Sequence, residues 1–172
     1  MKISFFWDLY QMELGRCPQL NSAISMSTGF AILLGGFLGT MAKRFSWPDG
    51  LAGASFAMLF ALAAATLLIS VILLAKAFWG HSYKLLAHPR DLLNWSRELK
   101  NHFEREESSS ASTDEAATQE FENRVMELLA EATSSNCIQS DKRSANIFWA
   151  NGWILLSLLF TALAVVPYSL AT

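Results

Sequence analysis

One pair of residues in this sequence has types and spacing suited to acid–base chemistry. Arg97 and His102 lie five positions apart in the run RELKNH. A histidine can carry a proton near neutral pH, and a guanidinium can stabilise the negative charge of a phosphate. The run is rich in charged residues, however, and such runs are usually solvated helix faces, on which Glu98 and His102 are neighbours one turn apart. We therefore expect a solvated face here, and no enzymatic activity.

Other reactive side chains do not form a recognisable site in the sequence. Cys17 and Cys137 belong to no CxxC pair, and His81 and His88 have no carboxylate at the spacing of helical metal ligands. The sequence also has no Gly-rich phosphate loop, no serine nucleophile elbow and no thiol–histidine arrangement. We expect no metal and no cofactor.

The composition indicates a membrane protein rather than a soluble enzyme domain. Of the 172 residues, 52% are hydrophobic and only 16% are charged, whereas soluble domains carry about 25% charged residues. The formal net charge is −2. Nothing here directly indicates a nucleic-acid partner, because there is no basic excess to attract one.

Three segments are apolar over a length that can cross a bilayer, which takes roughly 20 apolar residues in a helix. They run over about 23–42, 51–79 and 147–170, and Lys76 is their only charged residue. Backbone polar groups in lipid must be paired within the segment, so all three should be helices. The predicted fold class is all-α, an integral membrane protein with three transmembrane helices and a cytoplasmic antiparallel helical hairpin.

The predicted organisation has four parts. Residues 1–20 form an amphipathic lead, which could lie on the membrane surface or pack on the cytoplasmic segment. Residues 21–79 hold the first two transmembrane helices and 147–172 hold the third. Residues 80–146 form the cytoplasmic hairpin, in which the Ser-, Ala- and acid-rich run 107–118 should be a flexible loop.

Within the hairpin, apolar stripes predict two helices. The first should start at Pro89, since proline is favoured at the first helical position. The second contains Phe121, Val125 and Leu129 at helical spacing. It could continue into the third span, or break at residues 134–136, where Ser and Asn compete for backbone hydrogen bonds.

The distribution of Lys and Arg predicts the orientation in the membrane. Lys43 and Arg44 lie in the short connector between the first two spans, whereas the opposite side receives most of the remaining basic residues. Cytoplasmic loops carry the excess of positive charge. We therefore expect a multi-pass protein of the cell inner membrane, with a cytoplasmic N-terminus and a periplasmic or extracellular C-terminus.

Small residues at four-residue spacing indicate close helix packing in the membrane. Helices in lipid associate largely through such faces, because small side chains let backbones approach. The packing could occur within one chain or between copies. We favour a homo-oligomer, since three helices enclose little interior. The residues that carry this pattern are Gly35, Gly39, Gly53, Ala57, Ala61 and Ala65.

Apart from Lys76 near the end of its span, the polar side chains within the spans are uncharged, which disfavours a proton relay or an ion-coupled transporter. Hydroxyl and amide groups could line a pore formed by several copies, or could make hydrogen bonds between helices or to their own backbone. The candidates are Ser25, Thr28, Ser70, Asn151, Ser157 and Thr161.

The order of these features resembles the small membrane effectors of bacterial anti-phage systems, such as the SLATT and Pycsar transmembrane groups. The likeness is carried by residues 131–168, with Asn136, the charged run 141–143 and Asn151 in the closing span, and by the opening LYQMELGRCPQLNSAIS. The spacing of Arg97 and His102 is similar to that of HEPN-type ribonucleases. With it, the chain also looks like the membrane accessory proteins of RNA-targeting CRISPR systems.

These resemblances imply an oligomeric pore or membrane-perturbing effector, controlled through its cytoplasmic helices by a protein or a signalling ligand. They also imply one alternative, a membrane-tethered ribonuclease in which His102 handles a proton and Arg97 stabilises a phosphate at a dimer contact. A third hypothesis is a non-enzymatic scaffold or accessory subunit, anchored in membrane lipid and bound to a cytoplasmic partner.

Overall fold

The computed structural model describes residues 3–45, 51–79, 82–106 and 110–171. In these ranges the regular elements are all helices, which confirms the predicted all-α class. They are α1 (Ile3–Arg44), α2 (Leu51–Phe78), α3 (Pro89–Glu106) and α4 (Ser110–Ala171).

Three of these helices are long and apolar enough to cross a membrane. The candidate spans lie within Ile3–Arg44, Gly53–Phe78 and Asp114–Ser169. This agrees with the three predicted spans and indicates a multi-pass membrane protein. The first and third spans are parts of much longer helices than their apolar stretches required, so the chain does not break where its composition changes.

The chain divides into two compact units. The first unit comprises Met1–Cys17 and Ser82–Gln139, and the second comprises Pro18–His81 and Ser140–Thr172. The predicted four-part organisation placed its boundaries elsewhere, at 20/21, 79/80 and 146/147. In the structure the N-terminal lead groups with the segment between α2 and the middle of α4.

The second unit is a three-helix bundle with a heptad core. Buried residues of α1 and α4 alternate in steps of three and four, the spacing of side chains that face a helical neighbour in left-handed bundles. In α1 they are Ile24, Ser27, Ala31, Leu34, Leu38 and Met41; in α4 they are Ser140, Arg143, Ile147, Ala150, Ile154, Ser157, Thr161 and Ala164.

The core clusters of the second unit give the helix directions. Ile24 of α1 packs with Ala77 of α2 and Ile147 of α4. Further along α1, Met41 packs with Phe56 and Ala164. Residue numbers therefore rise together in α1 and α4 and fall in α2, so α1 and α4 are parallel and α2 is antiparallel to both.

The core of the first unit joins α1 to α4. Tyr10 of α1 packs against Val125, Leu129 and Ala132 of α4, with Trp95 of α3 beside them. Of the two arrangements considered for the N-terminal lead, the structure has the packed one. Two contacts set the register of α3 on α4. Trp95 packs on Phe121 with 5.3 Å between the ring centroids, and Lys100, which is later in α3, pairs at 3.0 Å with Asp114, which is earlier in α4. The two helices therefore run antiparallel along this contact.

The flexible loop expected at residues 107–118 is wrong for residues 110–118, which form the start of α4. Alanine has the highest helix propensity, and acidic residues near a helix N-terminus favour the helix dipole. Ala117 is buried and Asp114 pairs with Lys100, so tertiary contacts add to this preference. Residues 107–109 lie outside the described residues. No break occurs at residues 134–136, through which α4 continues.

Candidate functional site

Residues 82–88, which join α2 to α3, are held by buried side chains although they have no regular secondary structure. The side chain of Asn136 accepts a hydrogen bond from the Lys84 backbone N–H at 2.7 Å and donates one to the Lys84 carbonyl oxygen at 3.0 Å. The Tyr10 hydroxyl accepts a hydrogen bond from the Leu86 N–H at 3.1 Å. We call residues 82–88 the strap.

These hydrogen bonds use the same backbone groups that a β-strand offers to a neighbouring strand, but their partners are side chains. In an extended chain, the N–H and C=O of one residue and the N–H two residues later point to the same edge. An asparagine amide carries both a donor and an acceptor, so it can replace the peptide group of a neighbouring strand. Asn136 is fully buried and Tyr10 is 4% exposed. The strap edge is therefore bound by buried side chains of α4 and α1, although Lys84 itself is exposed.

An ion pair lies at the outer side of the same contact. Lys84 Nζ is 2.7 Å from Glu131 Oε1. The hydrogen bond from Lys84, together with its charge, holds the pKa of the Glu131 carboxyl below its ordinary value. Both side chains are mostly exposed, so water and salt weaken the attraction and the pair adds little stability.

A second polar cluster of the first unit surrounds a buried carboxylate. Glu13, 4% exposed, accepts a hydrogen bond at Oε2 from Arg16 Nη1 at 3.1 Å. The same guanidinium nitrogen lies 3.9 Å from Cys137 Sγ. Within the described part of the chain, Glu13 Oε1 and Thr133 Oγ1 are buried without a hydrogen-bond partner. The cluster thus holds a buried carboxyl group with one of its two oxygens unpaired.

Arg143 is the corresponding buried cation of the second unit. Its Nε donates to the Ala77 carbonyl oxygen at 3.0 Å, and its Nη2 donates to Asn21 Oδ1. Ala77 lies in the last turn of α2, where carbonyls lack helical partners and positive charge is favoured. One side chain therefore connects α4 to the end of α2 and to α1. In the sequence, Arg143 counts toward the orientation and belongs to the charged run 141–143, but neither pattern predicted this contact.

The polar candidates of the spans fall into two groups. Two bond to another helix: Asn151, itself exposed, accepts a hydrogen bond from Ser27 of α1 at 2.7 Å, and Ser157 donates to the Ala63 carbonyl of α2 at 2.8 Å. Thr161 is buried and donates to the Ser157 carbonyl of its own helix at 2.7 Å. The other group lies on the exposed surface of α1. Ser25 donates to the Asn21 carbonyl of its own helix, and Thr28 shares the same exposed surface.

Ser70 differs from both groups. It is fully buried, and within the described residues its hydroxyl has no hydrogen-bond partner. An unsatisfied hydroxyl in an apolar interior is costly, and a buried water is the usual solution to such a position. Ser70 belongs to the heptad series of α2, whose fully buried members Phe56, Ala63, Ser70 and Ala77 are each seven residues apart.

The small residues of α2 do not form one buried face. Gly53 is buried and Ala57 is half-buried, whereas Ala61 and Ala65 are exposed. Each step of four residues turns a helix by about 400°, so a four-residue series rotates about 40° per step and leaves the contact face. A seven-residue series drifts by only about 20° per heptad. The contact within the chain therefore follows the heptad series.

The small residues of α1 also divide. A Cβ atom added at Gly35 would lie 3.6 Å from Leu67 Cδ2, so this glycine is at the α1–α2 contact. A Cβ at Gly29, Gly36 or Gly39 would meet no atom within 4 Å. An open apolar groove of about 660 Å³ lies between α1 and α2, with Ser25, Thr28, Gly29, Ile32, Phe78 and Trp79 among its lining residues.

Arg97 and His102 are both exposed on α3. Five residues on a regular α-helix correspond to about 140° around its axis, so the two side chains start from different faces. The described residues contain no group of three or more His, Cys, Asp and Glu side chains arranged to hold a metal ion.

Comparison of the chain with protein-family models, with curated proteins and with solved structures finds no match in any of the three.

Proposed function

We propose that the protein is a multi-pass effector of the inner membrane that assembles from several copies of itself and forms a pore or perturbs the bilayer. The observation that carries this proposal is the set of small residues that a single chain leaves exposed on two of its helices. It comprises Ser25, Gly29, Gly36 and Gly39 on α1 and Ala61 and Ala65 on α2.

The uncovered glycines favour a helix as their partner over lipid. Glycine lowers helix stability by about 1 kcal/mol relative to alanine, and a position that faces only acyl chains gains nothing in return. A second helix does gain, because the missing side chain lets the two backbones approach and make van der Waals contact. The open groove beside Gly29 supports the same occupant, a helix of a second copy.

In this proposal the first unit is cytoplasmic, and α3 with the first part of α4 forms an antiparallel hairpin. The positive-inside distribution of Lys and Arg supports this orientation. Exposed Trp79 and Trp149 support a membrane–water interface at their level in the second unit, since aromatic residues are enriched at such interfaces. A cytoplasmic protein or a signalling ligand controls the assembly by binding two arrangements of the hairpin unequally. A role in anti-phage defence is proposed from the resemblance alone.

The test combines the mass of the protein in mild detergent with conductance of planar bilayers. We expect an oligomer that conducts when triggered. Gly29→Leu fills the groove and should shift the mass toward the monomer and lower conductance at least tenfold. Leu155→Phe is the control, since Leu155 is an exposed apolar residue of α4, outside the small-residue positions of α1 and α2 and outside the lining of this groove. A monomeric wild type with a sealed bilayer under every trigger contradicts the proposal.

A second candidate function, a scaffold or accessory subunit, is favoured by a different observation. Ser157 and Thr161 are buried and bonded within one chain, so in this arrangement they are not available to line a pore. The spans would then only anchor the chain, and the hairpin would bind another protein. Co-purification of a partner at fixed stoichiometry without conductance distinguishes this candidate from the effector.

A further inference from the structure

We infer that the strap is a releasable latch, captured through its backbone by Asn136 and Tyr10, and that its release is a conformational step built into this fold. The juxtaposition that carries the inference is three hydrogen bonds along one edge of residues 84–86 to two side chains buried on α4 and α1.

The strap contributes little packing of its own. Lys84, Leu85, Ala87 and His88 are exposed, Leu85 to 73%, and Leu86 is one of its two half-buried residues. Each hydrogen bond shifts an equilibrium by roughly tenfold. Segments with few buried apolar contacts open locally at a small fraction of the cost of unfolding the helices around them. The strap is therefore the part of the first unit that opens first.

Capture of the backbone makes the latch insensitive to the side chains of the strap. Asn136 contacts the N–H and C=O of Lys84, and Tyr10 contacts the N–H of Leu86, so none of the three bonds involves a strap side chain. The specificity lies in the receiving side chains. Asn136 and Tyr10 are buried, and leaving them unpaired is the main cost of opening.

Opening the strap affects the connection between two helices. Residues 82–88 lie in the segment between α2 and α3 and directly precede α3, so their release frees the chain that leads into α3. Arg143, seven positions after Asn136 on α4, belongs to the second unit and holds the carbonyl of Ala77. The use of this step in gating rests on the proposed function, whereas the latch itself does not.

The latch is tested by residue-resolved hydrogen exchange of the full-length protein in detergent. After correction for intrinsic rates, we expect the amides of Lys84 and Leu86 to exchange at least about tenfold more slowly than those of Leu85 and Ala87, for which the described residues provide no hydrogen bond. Equal exchange of the four amides in the wild type overturns the inference.

Variants assign the protection to individual side chains. Tyr10→Phe keeps the ring in the core and should accelerate the Leu86 amide about tenfold while leaving the Lys84 amide protected. Asn136→Leu should accelerate the Lys84 amide about tenfold while leaving the Leu86 amide protected. Lys84→Ala, the control, removes the ion pair with Glu131 and should leave both amides protected, because capture is through the backbone. Loss of protection in the control, or equal acceleration of all four amides by Tyr10→Phe, contradicts the latch.

A second readout separates the latch from the proposed function. If the protein is a gated effector, Asn136→Leu should conduct more readily without its trigger, because the latch has lost two of its three hydrogen bonds. If exchange follows the expected pattern but no variant conducts, the latch is supported and the proposed effector function is contradicted. Conductance that is unchanged by Asn136→Leu, with the exchange pattern intact, rejects the use of the latch in gating.

Discussion

Arg143 donates a hydrogen bond to the carbonyl oxygen of Ala77, so a buried cation of α4 lies at the C-terminal end of α2. Arg143 is 4% exposed. A buried charge persists only where its hydrogen bonds and nearby dipoles offset the cost of leaving water. The helix end supplies the dipole, and the Asn21 side chain supplies a second acceptor.

Replacing Arg143 should therefore loosen the second unit. Arg143→Met keeps much of the volume but leaves the Ala77 carbonyl and Asn21 without this donor, and should cost about 1.5–3 kcal/mol, the range for hydrogen bonds to charged groups. Arg143→Lys should recover part of the loss, since an ammonium keeps the charge without the planar fork. Denaturant unfolding in micelles measures both, with Lys142→Met as the exposed control. Equal stability of Arg143→Met and the wild type contradicts the role of this contact.

The sequence allowed prediction of the three spans, because a long apolar run in lipid has no other stable form than a helix. It did not give the buried face of α2. The series Gly53 to Ala65 stands out in the sequence because its members are small. The helix contact within the chain, however, follows the seven-residue series through Ala63 and Ser70. Extending the alternation of three and four along α4 would have placed Asn136 and Arg143 inside, although both are polar.

Two other features were beyond reach for physical reasons. The hydrogen bond from the Leu86 N–H to the Tyr10 hydroxyl joins residues 76 positions apart. Its donor is a backbone group, which every residue except proline has, so the residue type at position 86 gives no sign of the bond. Residues 110–118 have few large apolar side chains, which made them look like a loop. Their helix is stabilised by alanine propensity, by burial of Ala117 and by the contact of Asp114 with Lys100.

Two alanines of α2, Ala63 and Ala61, differ in exposure and should therefore respond differently to substitution by leucine. Ala63 is fully buried and its carbonyl accepts the hydrogen bond of Ser157. Ala63→Leu should therefore overpack the core and destabilise the chain by about 1–3 kcal/mol. Ala61→Leu, on the exposed surface, should leave unfolding of the monomer nearly unchanged and weaken only self-association. Unfolding and mass in detergent measured on both variants check this, and a similar loss of stability in the two would contradict the heptad assignment.

The hydrogen bond between Ser27 and Asn151 should couple α1 to α4 in lipid. The 2.7 Å contact is between two side chains of different helices, and such bonds in membranes contribute about 0.6 kcal/mol, up to roughly 1.7. A double-mutant cycle with Ser27→Ala and Asn151→Ala should return a coupling in this range. Ser25→Ala, which removes a hydroxyl bonded to its own helix, should show no coupling with Asn151→Ala. Equal coupling in both cycles would mean that the measured energy is not this bond.

The ion pair of Lys84 and Glu131 predicts a small pH dependence in the first unit. Lys84 lowers the pKa of the Glu131 carboxyl in the folded chain, so the folded state binds the proton less readily than the unfolded state does. The resulting stabilisation is fully present above the ordinary carboxyl pKa of 4.5 and is lost as the pH falls through the lowered value.

Glu131→Gln should remove this component of the acid-induced loss, and Glu122→Gln, an exposed change on the same helix, should retain it. Unfolding curves between about pH 3 and 6 measure the difference, which should shrink with added salt because both side chains are exposed. Identical pH profiles for the wild type and Glu131→Gln at low salt would show that the pair does not form in solution.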